Sequence, residues 1–176
     1  MLLETLLLSP CFLTGKTNIK DSKTNFPISR NSIKEDETLL FFDIDDKSNP
    51  DCKLREFFWG ENEGHLLCDL LVFFAKGSKR VFCFVELKDN KSDFPKATDQ
   101  VISTYKAFKE KRTFKCTAKA FIYCSAGELP QDYRRYQKNL EATFGNNSEH
   151  DGKPENFLNF LRGENVKFNK RGQKKK

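Results

Sequence analysis

Two apolar runs joined by a short turn constrain this chain more than any other feature. The first run, residues 66–74, contains one charged side chain, and the second, residues 81–88, contains two near its end. The link between them is polar and has Gly77 near its centre. Two strand-like runs with a short glycine-containing link predict a β-hairpin. Because both runs are apolar on both faces, we expect the hairpin to lie inside a sheet that is covered on both sides.

Three ionisable residues, Asp69, Glu86 and Lys88, interrupt these runs. A buried unpaired charge costs roughly several kcal/mol, so their presence needs a reason. If the turn is symmetric about Gly77 and Ser78, Asp69 lies directly opposite Glu86, and strand alternation puts Lys88 on the same face. Two facing acids are tolerable if a cation lies between them or if one is protonated. The pattern predicts two acids and a lysine converging at one end of the hairpin, although a one-residue change of turn register would separate them.

The rest of the chain predicts one α/β domain with a mixed central sheet flanked by helices, because the order is hairpin, helix, strand, helix. The 176 residues suit a single domain spanning residues 1–176. We expect its core at residues 39–125 and a basic, flexible tail at residues 169–176. Further strands are predicted at residues 39–44, 117–124 and 166–168. Helices are predicted at residues 1–13, 93–110, 131–144 and 157–161, and loops at residues 14–36 and 145–154.

Composition favours a soluble, cytoplasmic protein with a polyanionic partner. The six cysteines include no Cys-x-x-Cys pair, and four lie inside apolar runs, which favours reduced thiols and argues against a zinc site. No run reaches the roughly 20 apolar residues of a membrane span, so we expect no membrane association. The net charge of +6 is concentrated in residues 111–176, which hold 15 basic and 7 acidic side chains. Such a basic third suits a polyanion, and a solvated tail is the alternative explanation for its last residues.

The charged hairpin resembles a known motif. Asp69, followed 17 residues later by Glu86-Leu87-Lys88 on the next strand, is similar to the signature of the PD-(D/E)XK nuclease superfamily. Members commonly place a polar residue, often Gln, on the helix after this strand, and Gln100 lies in such a predicted helix. The resemblance covers about residues 65–125 and implies a restriction-endonuclease-like core. Cys68 stands where the motif has the proline for which it is named.

The resemblance implies a metal-dependent endonuclease that hydrolyses phosphodiester bonds in DNA, or less often in RNA. Asp69 and Glu86 would bind Mg²⁺ or Mn²⁺, with the carbonyl of Leu87 as a further ligand. Lys88 would position or deprotonate the attacking water and stabilise charge on the phosphate. Small domains of this kind often pair, so a homodimer is left open. Three residues after the motif are expected to contact the nucleic acid: Gln100, Lys91 and Lys96.

Other interpretations stay open because many members of the superfamily also carry an acidic residue on an upstream helix. The sequence offers four candidates without deciding among them: Glu4, Glu56, Glu61 and Glu63. Without such an acid, the chain could be a catalytically inactive nuclease-like fold that binds nucleic acid or protein. It could also be an interaction protein whose basic tail binds an acidic partner. In a purely structural interpretation, Glu86 and Lys88 mark a strand end that reaches solvent, and Asp69 pairs with an arginine.

Overall fold

The computed structural model describes residues 6–7, 18–20, 25–27, 32–45, 54–60, 66–150 and 156–164. The strands within these residues are β1 (Asn18–Lys20), β2 (Asn25–Pro27), β3 (Glu37–Asp43), β4 (Leu70–Lys76), β5 (Lys79–Asn90), β6 (Thr117–Ala126) and β7 (Ser148–His150). The helices are α1 (Leu54–Trp59), α2 (Phe94–Lys111), α3 (Tyr133–Phe144) and α4 (Phe157–Arg162), and a 3₁₀ turn, Lys91–Asp93, joins β5 to α2.

A five-stranded mixed sheet in the order β3-β4-β5-β6-β7 forms the centre of the fold. β3, β4 and β5 are antiparallel neighbours, whereas β5, β6 and β7 run parallel. β1 and β2 form a separate antiparallel pair. The predicted α/β class with a mixed sheet flanked by helices is therefore confirmed. Its assignment to the restriction-endonuclease-like group remains a prediction.

The predicted hairpin is the pair β4–β5. Lys76 pairs with Lys79 and Leu70 pairs with Val85, which is the register of a two-residue turn. Gly77 has a φ of 53° in this turn, a left-handed conformation that glycine adopts without a steric cost. The two strands have buried residues on both faces because they occupy the second and third positions of the sheet.

Phenylalanine rings fill both faces of the sheet. On one face, α2 packs on β5, with the ring centroids of Phe108 and Phe82 4.8 Å apart and those of Phe108 and Phe84 5.3 Å apart. α3 lies on this same face. On the other face, α4 packs on β6, with the centroids of Phe121 and Phe157 4.9 Å apart. These rings account for the high phenylalanine content of so polar a chain.

Several predicted boundaries and two predicted loops need correction. The strand predicted at 39–44 is Glu37–Asp43, and β5 continues past Lys88 to Asn90. The loop predicted at 14–36 contains β1 and β2, and the loop predicted at 145–154 contains β7. Strands of three residues are too short to show the alternation of apolar and polar residues from which a strand is predicted. β7 forms because its backbone groups pair with those of β6, which would otherwise be an edge strand.

The structure describes few residues near the two ends of the chain, so most predictions made there stay predictions. Of the helix predicted at residues 1–13, only Leu6 and Leu7 are described, and both are helical. The edge strand predicted at residues 166–168 and the basic tail lie outside the described residues. Within the described part of the chain, no helix has the length and apolar content needed to cross a membrane.

Candidate active site

Asp69 and Glu86 meet where the central hairpin opens, as the symmetric turn predicts. Asp69 stands one position before the first β4 pair, Leu70 with Val85, and Glu86 is the next residue along β5. The backbone N–H of Asp69 donates to Glu86 Oε2 at 3.0 Å. In return, the backbone N–H of Leu87 donates to Asp69 Oδ2 at 2.7 Å. Each carboxylate is therefore oriented by the backbone of the opposite strand.

Lys88 completes this group from the same face of β5. Its ammonium Nζ donates to Glu86 Oε1, so the two oxygens of Glu86 bind different donors. The Glu86 side chain is fully buried, whereas 16% of the Lys88 side chain is exposed. The lysine thus lies between a buried carboxylate and solvent.

The electrostatics of the group favour an additional positive charge. Burial raises the pKa of Glu86 well above its usual range, and the neighbouring Asp69 raises it further, outweighing the effect of Lys88. Burial alone would lower the pKa of Lys88, but Glu86, Asp69 and Asp93 together raise it. Lys88 therefore keeps its proton at neutral pH. One lysine does not fully compensate two adjacent carboxylates in this apolar surrounding.

Helix α2 holds the chain that leads into Asp69. Gln100 is 6% exposed, and its Nε2 donates to the carbonyl of Leu67 at 2.5 Å. Its side chain is therefore turned into the protein, whereas the sequence predicted it in contact with nucleic acid. The hydroxyl of Thr104 accepts from the backbone N–H of Cys68 at 2.9 Å. Sequence reasoning missed this residue, although a threonine one helical turn after Gln100 was the available signal.

The two lysines predicted to contact nucleic acid follow directly after the carboxylates. Lys91 begins the 3₁₀ turn after β5, where Asn90 Oδ1 accepts from Ser92 N–H at 3.0 Å and fixes the start of the turn. Lys96 is exposed in the first turn of α2. Of the four candidate upstream acids, Glu56 is exposed on α1. The others, Glu4, Glu61 and Glu63, lie outside the described residues.

The donor set fits a hard divalent cation with few protein ligands. Among the described residues, no three His, Cys, Asp or Glu side chains are placed so that they could hold a metal ion together. Asp69 and Glu86 would thus supply two carboxylates, and water and phosphate oxygens would complete the coordination, as is usual for Mg²⁺. A carboxylate oxygen that accepts one hydrogen bond still has a lone pair for a metal. The raised pKa of Glu86 shows that its negative charge is unfavourable there, and either a proton or a cation beside the pair would relieve this.

The arrangement can hold a hard cation, orient a water molecule and donate a hydrogen bond to an anion. The carboxylates are the type of ligand that suits a hard cation, and the protonated lysine is the group able to donate to a water molecule or an anion. β5 carries Glu86 and Lys88, and Asp69 directly precedes β4. Comparisons of the chain with protein-family models, with curated proteins and with solved structures give no match.

Proposed function

We propose that this protein is a metal-dependent nuclease that hydrolyses phosphodiester bonds, in DNA rather than RNA, at Asp69, Glu86 and Lys88. The observation that supports this most is the meeting of two carboxylates across the hairpin, one fully buried and bonded to the lysine. A buried carboxylate with a raised pKa beside a second carboxylate destabilises an otherwise apolar hairpin. Strongly shifted pKa values of this kind are concentrated at functional sites.

The three side chains divide the chemistry between them. Asp69 and Glu86 would hold Mg²⁺ or Mn²⁺, with the carbonyl of Leu87 as a further oxygen ligand. A bound divalent ion would lower the pKa of a coordinated water molecule and would balance the charge of the phosphoryl group. Lys88 would turn from Glu86 to the attacking water and to the phosphate. There it would position or deprotonate the attacking water and would stabilise the charge that develops on the phosphate.

Nucleic acid would be held through its phosphates by Lys91 and Lys96, which follow the carboxylates along the chain. Contacts to phosphates position a nucleic acid without recognising its sequence. We expect Lys96→Glu to lower the slope of log Kobs against log salt concentration by about 0.9 for each duplex phosphate that the variant no longer neutralises. Lys109→Glu, at an exposed position in the last turn of α2, makes the same charge change and serves as the control. Equal slopes for the two variants would contradict this contact.

A second candidate function is binding without cleavage. It is favoured because, among the described residues, no third His, Cys, Asp or Glu is placed to hold a metal ion together with the carboxylate pair. An inactive nuclease-like fold would bind nucleic acid or protein in EDTA as well as in Mg²⁺. Its affinity would be insensitive to Glu86→Ala.

The test is cleavage of labelled single- and double-stranded DNA and RNA by the purified protein in Mg²⁺, Mn²⁺ or EDTA. Lys88→Ala is the active-site variant, and Lys138→Ala removes the same charge from an exposed position. Metal-dependent cleavage that is abolished in Lys88→Ala and retained in Lys138→Ala would support the nuclease. Intact binding without cleavage in any metal would favour the binding module. Cleavage that survives Lys88→Ala would place the active site elsewhere.

A further inference from the structure

We propose that Thr104 is a positioning residue that fixes Asp69 against Glu86, an inference that rests on the proposed nuclease function. Thr104 lies in the middle of α2, faces the sheet and is 1% exposed. No metal, water or substrate needs to touch it for this role. Its hydroxyl acts through the backbone of the residue that precedes Asp69.

The orientation of the Thr104 hydroxyl is determined by the helix. Its Oγ1 donates to the carbonyl of Gln100 at 2.8 Å, one turn earlier in α2. A hydroxyl has one proton, and this bond uses it, so Oγ1 can only accept further hydrogen bonds. The backbone N–H of Cys68 donates to that oxygen at 2.9 Å. The rigid helix thus presents a fixed acceptor to the amide of Cys68.

The amide of Cys68 is next to the amide that reaches the active site. Asp69 N–H donates to Glu86 Oε2, and Asp69 Oδ2 accepts from Leu87 N–H. Two consecutive amides are therefore anchored, the first to α2 and the second to the buried carboxylate. Both precede Leu70, where the pairing of β4 with β5 begins, so strand pairing does not fix them.

Other contacts also hold this segment, but none of them accepts from the Cys68 N–H. The carbonyl of Leu67 accepts from Gln100 Nε2 at 2.5 Å, the carbonyl of Asp69 accepts from Ile44 N–H at 3.1 Å, and Cys68 Sγ donates to the carbonyl of Leu70 at 3.4 Å. The Leu67 carbonyl and the Cys68 N–H belong to one planar peptide group, so Gln100 and Thr104 hold its two opposite edges. Without the Thr104 acceptor, that buried N–H must seek another partner, and the carboxylate of Asp69 moves with it.

Helix α2 provides its own control residue. Thr98 is fully buried on the same helix, but its Oγ1 has no hydrogen-bond partner among the described residues. Thr98→Val and Thr104→Val make the same chemical change at buried positions of one helix. Only the second removes an acceptor from a backbone amide. Thr104→Ser keeps the hydroxyl and removes a methyl group.

The experiment measures amide hydrogen exchange of Cys68 by NMR and single-turnover cleavage in Mg²⁺ for the three variants and the wild type. In Thr104→Val we expect Cys68 exchange to be about tenfold faster or more, because its N–H loses its acceptor. We expect the cleavage rate at saturating substrate to fall roughly 10- to 100-fold, the effect of a small misplacement of a catalytic group, with little change in KM. Thr98→Val and Thr104→Ser should resemble the wild type in both measurements.

Three results would overturn the proposal. The first is unchanged Cys68 exchange in Thr104→Val, and the second is an equal fall in cleavage rate in Thr98→Val and Thr104→Val. The third is a change in KM alone, which would contradict positioning of Asp69. If the wild type cleaves nothing, the nuclease function fails, whereas the exchange measurement still decides whether Thr104 holds the chain before Asp69.

Discussion

Glu86→Gln should make the metal-free protein more stable at neutral pH and remove part of its pH dependence. The carboxylate of Glu86 is fully buried beside Asp69, and both effects raise its pKa from the usual value of 4.5. A glutamine at this position keeps a side-chain oxygen for the N–H of Asp69 and removes the charge. Lys88, at the end of the buried part of β5, can then turn to Asp69 or to solvent.

The magnitude follows from the difference in proton binding between the folded and unfolded states. Above pH 4.5 the unfolded chain loses the Glu86 proton while the folded protein retains it. The free energy of unfolding therefore decreases as the pH rises, by up to about 1.4 kcal/mol per pH unit, until the folded carboxyl also ionises. Because burial and Asp69 raise the pKa of Glu86 well above its usual range, we expect Glu86→Gln to be more stable than the wild type at pH 7, with a difference that grows as the pH rises from 4.5. At pH 4.5 and below, the two proteins should converge.

Urea unfolding in EDTA, followed between pH 4.5 and pH 8, measures this directly. Glu110→Gln, which neutralises an exposed carboxylate on α2, serves as the control and should keep the wild-type pH dependence. A Glu86→Gln protein that is less stable than the wild type at pH 7 would refute the reasoning. So would a difference between them that is independent of pH.

Two further predictions concern residues outside the active site. The bidentate contact of Arg162 with buried Glu37, at 2.8 and 2.7 Å, is the main reason that the pKa of Glu37 falls to about 2. Glu37→Gln should therefore lower the free energy of unfolding at pH 7 by up to about 3 kcal/mol. The wild type loses this stability as the pH falls from 4.5 to 2, and the variant should lose less. Urea unfolding that shows no difference between the two proteins at pH 7 would contradict this. Gly127→Ala should lower the melting temperature more than Gly77→Ala, because both have positive φ but only at Gly127 would the new Cβ meet a side chain, that of Asn90. Equal shifts in differential scanning calorimetry would show that the Asn90 contact has no cost.

The sequence predicted the centre of the fold because local signals and tertiary structure agree there. The two apolar runs and their glycine turn determine the hairpin register, and this register places Asp69 opposite Glu86. Strand alternation then places Lys88. By contrast, β7 is three polar residues, Ser148–His150, whose pairing depends on the free edge of β6 and leaves no periodic signal.

Contacts between residues far apart in sequence could not be predicted. Glu37 and Arg162 are separated by 125 positions, and neither has a sequence context that indicates a buried ion pair. Gln100 was predicted on the correct helix, but its burial depends on how α2 packs on the chain before β4. Thr104 was missed for the same reason, since its partner is a backbone amide and any residue type at position 68 except proline provides one.

Single-turnover cleavage of DNA in Mg²⁺ by the wild type, Lys88→Ala and Lys138→Ala decides whether Asp69, Glu86 and Lys88 form a nuclease site. We expect cleavage by the wild type that stops in EDTA. In Lys88→Ala we expect a rate at least about 100-fold lower, which is the usual effect of removing a group that transfers a proton or stabilises charge in the transition state. In Lys138→Ala we expect an unchanged rate. Equal rates in Lys88→Ala and the wild type, or no metal-dependent cleavage by the wild type, would contradict the proposed site.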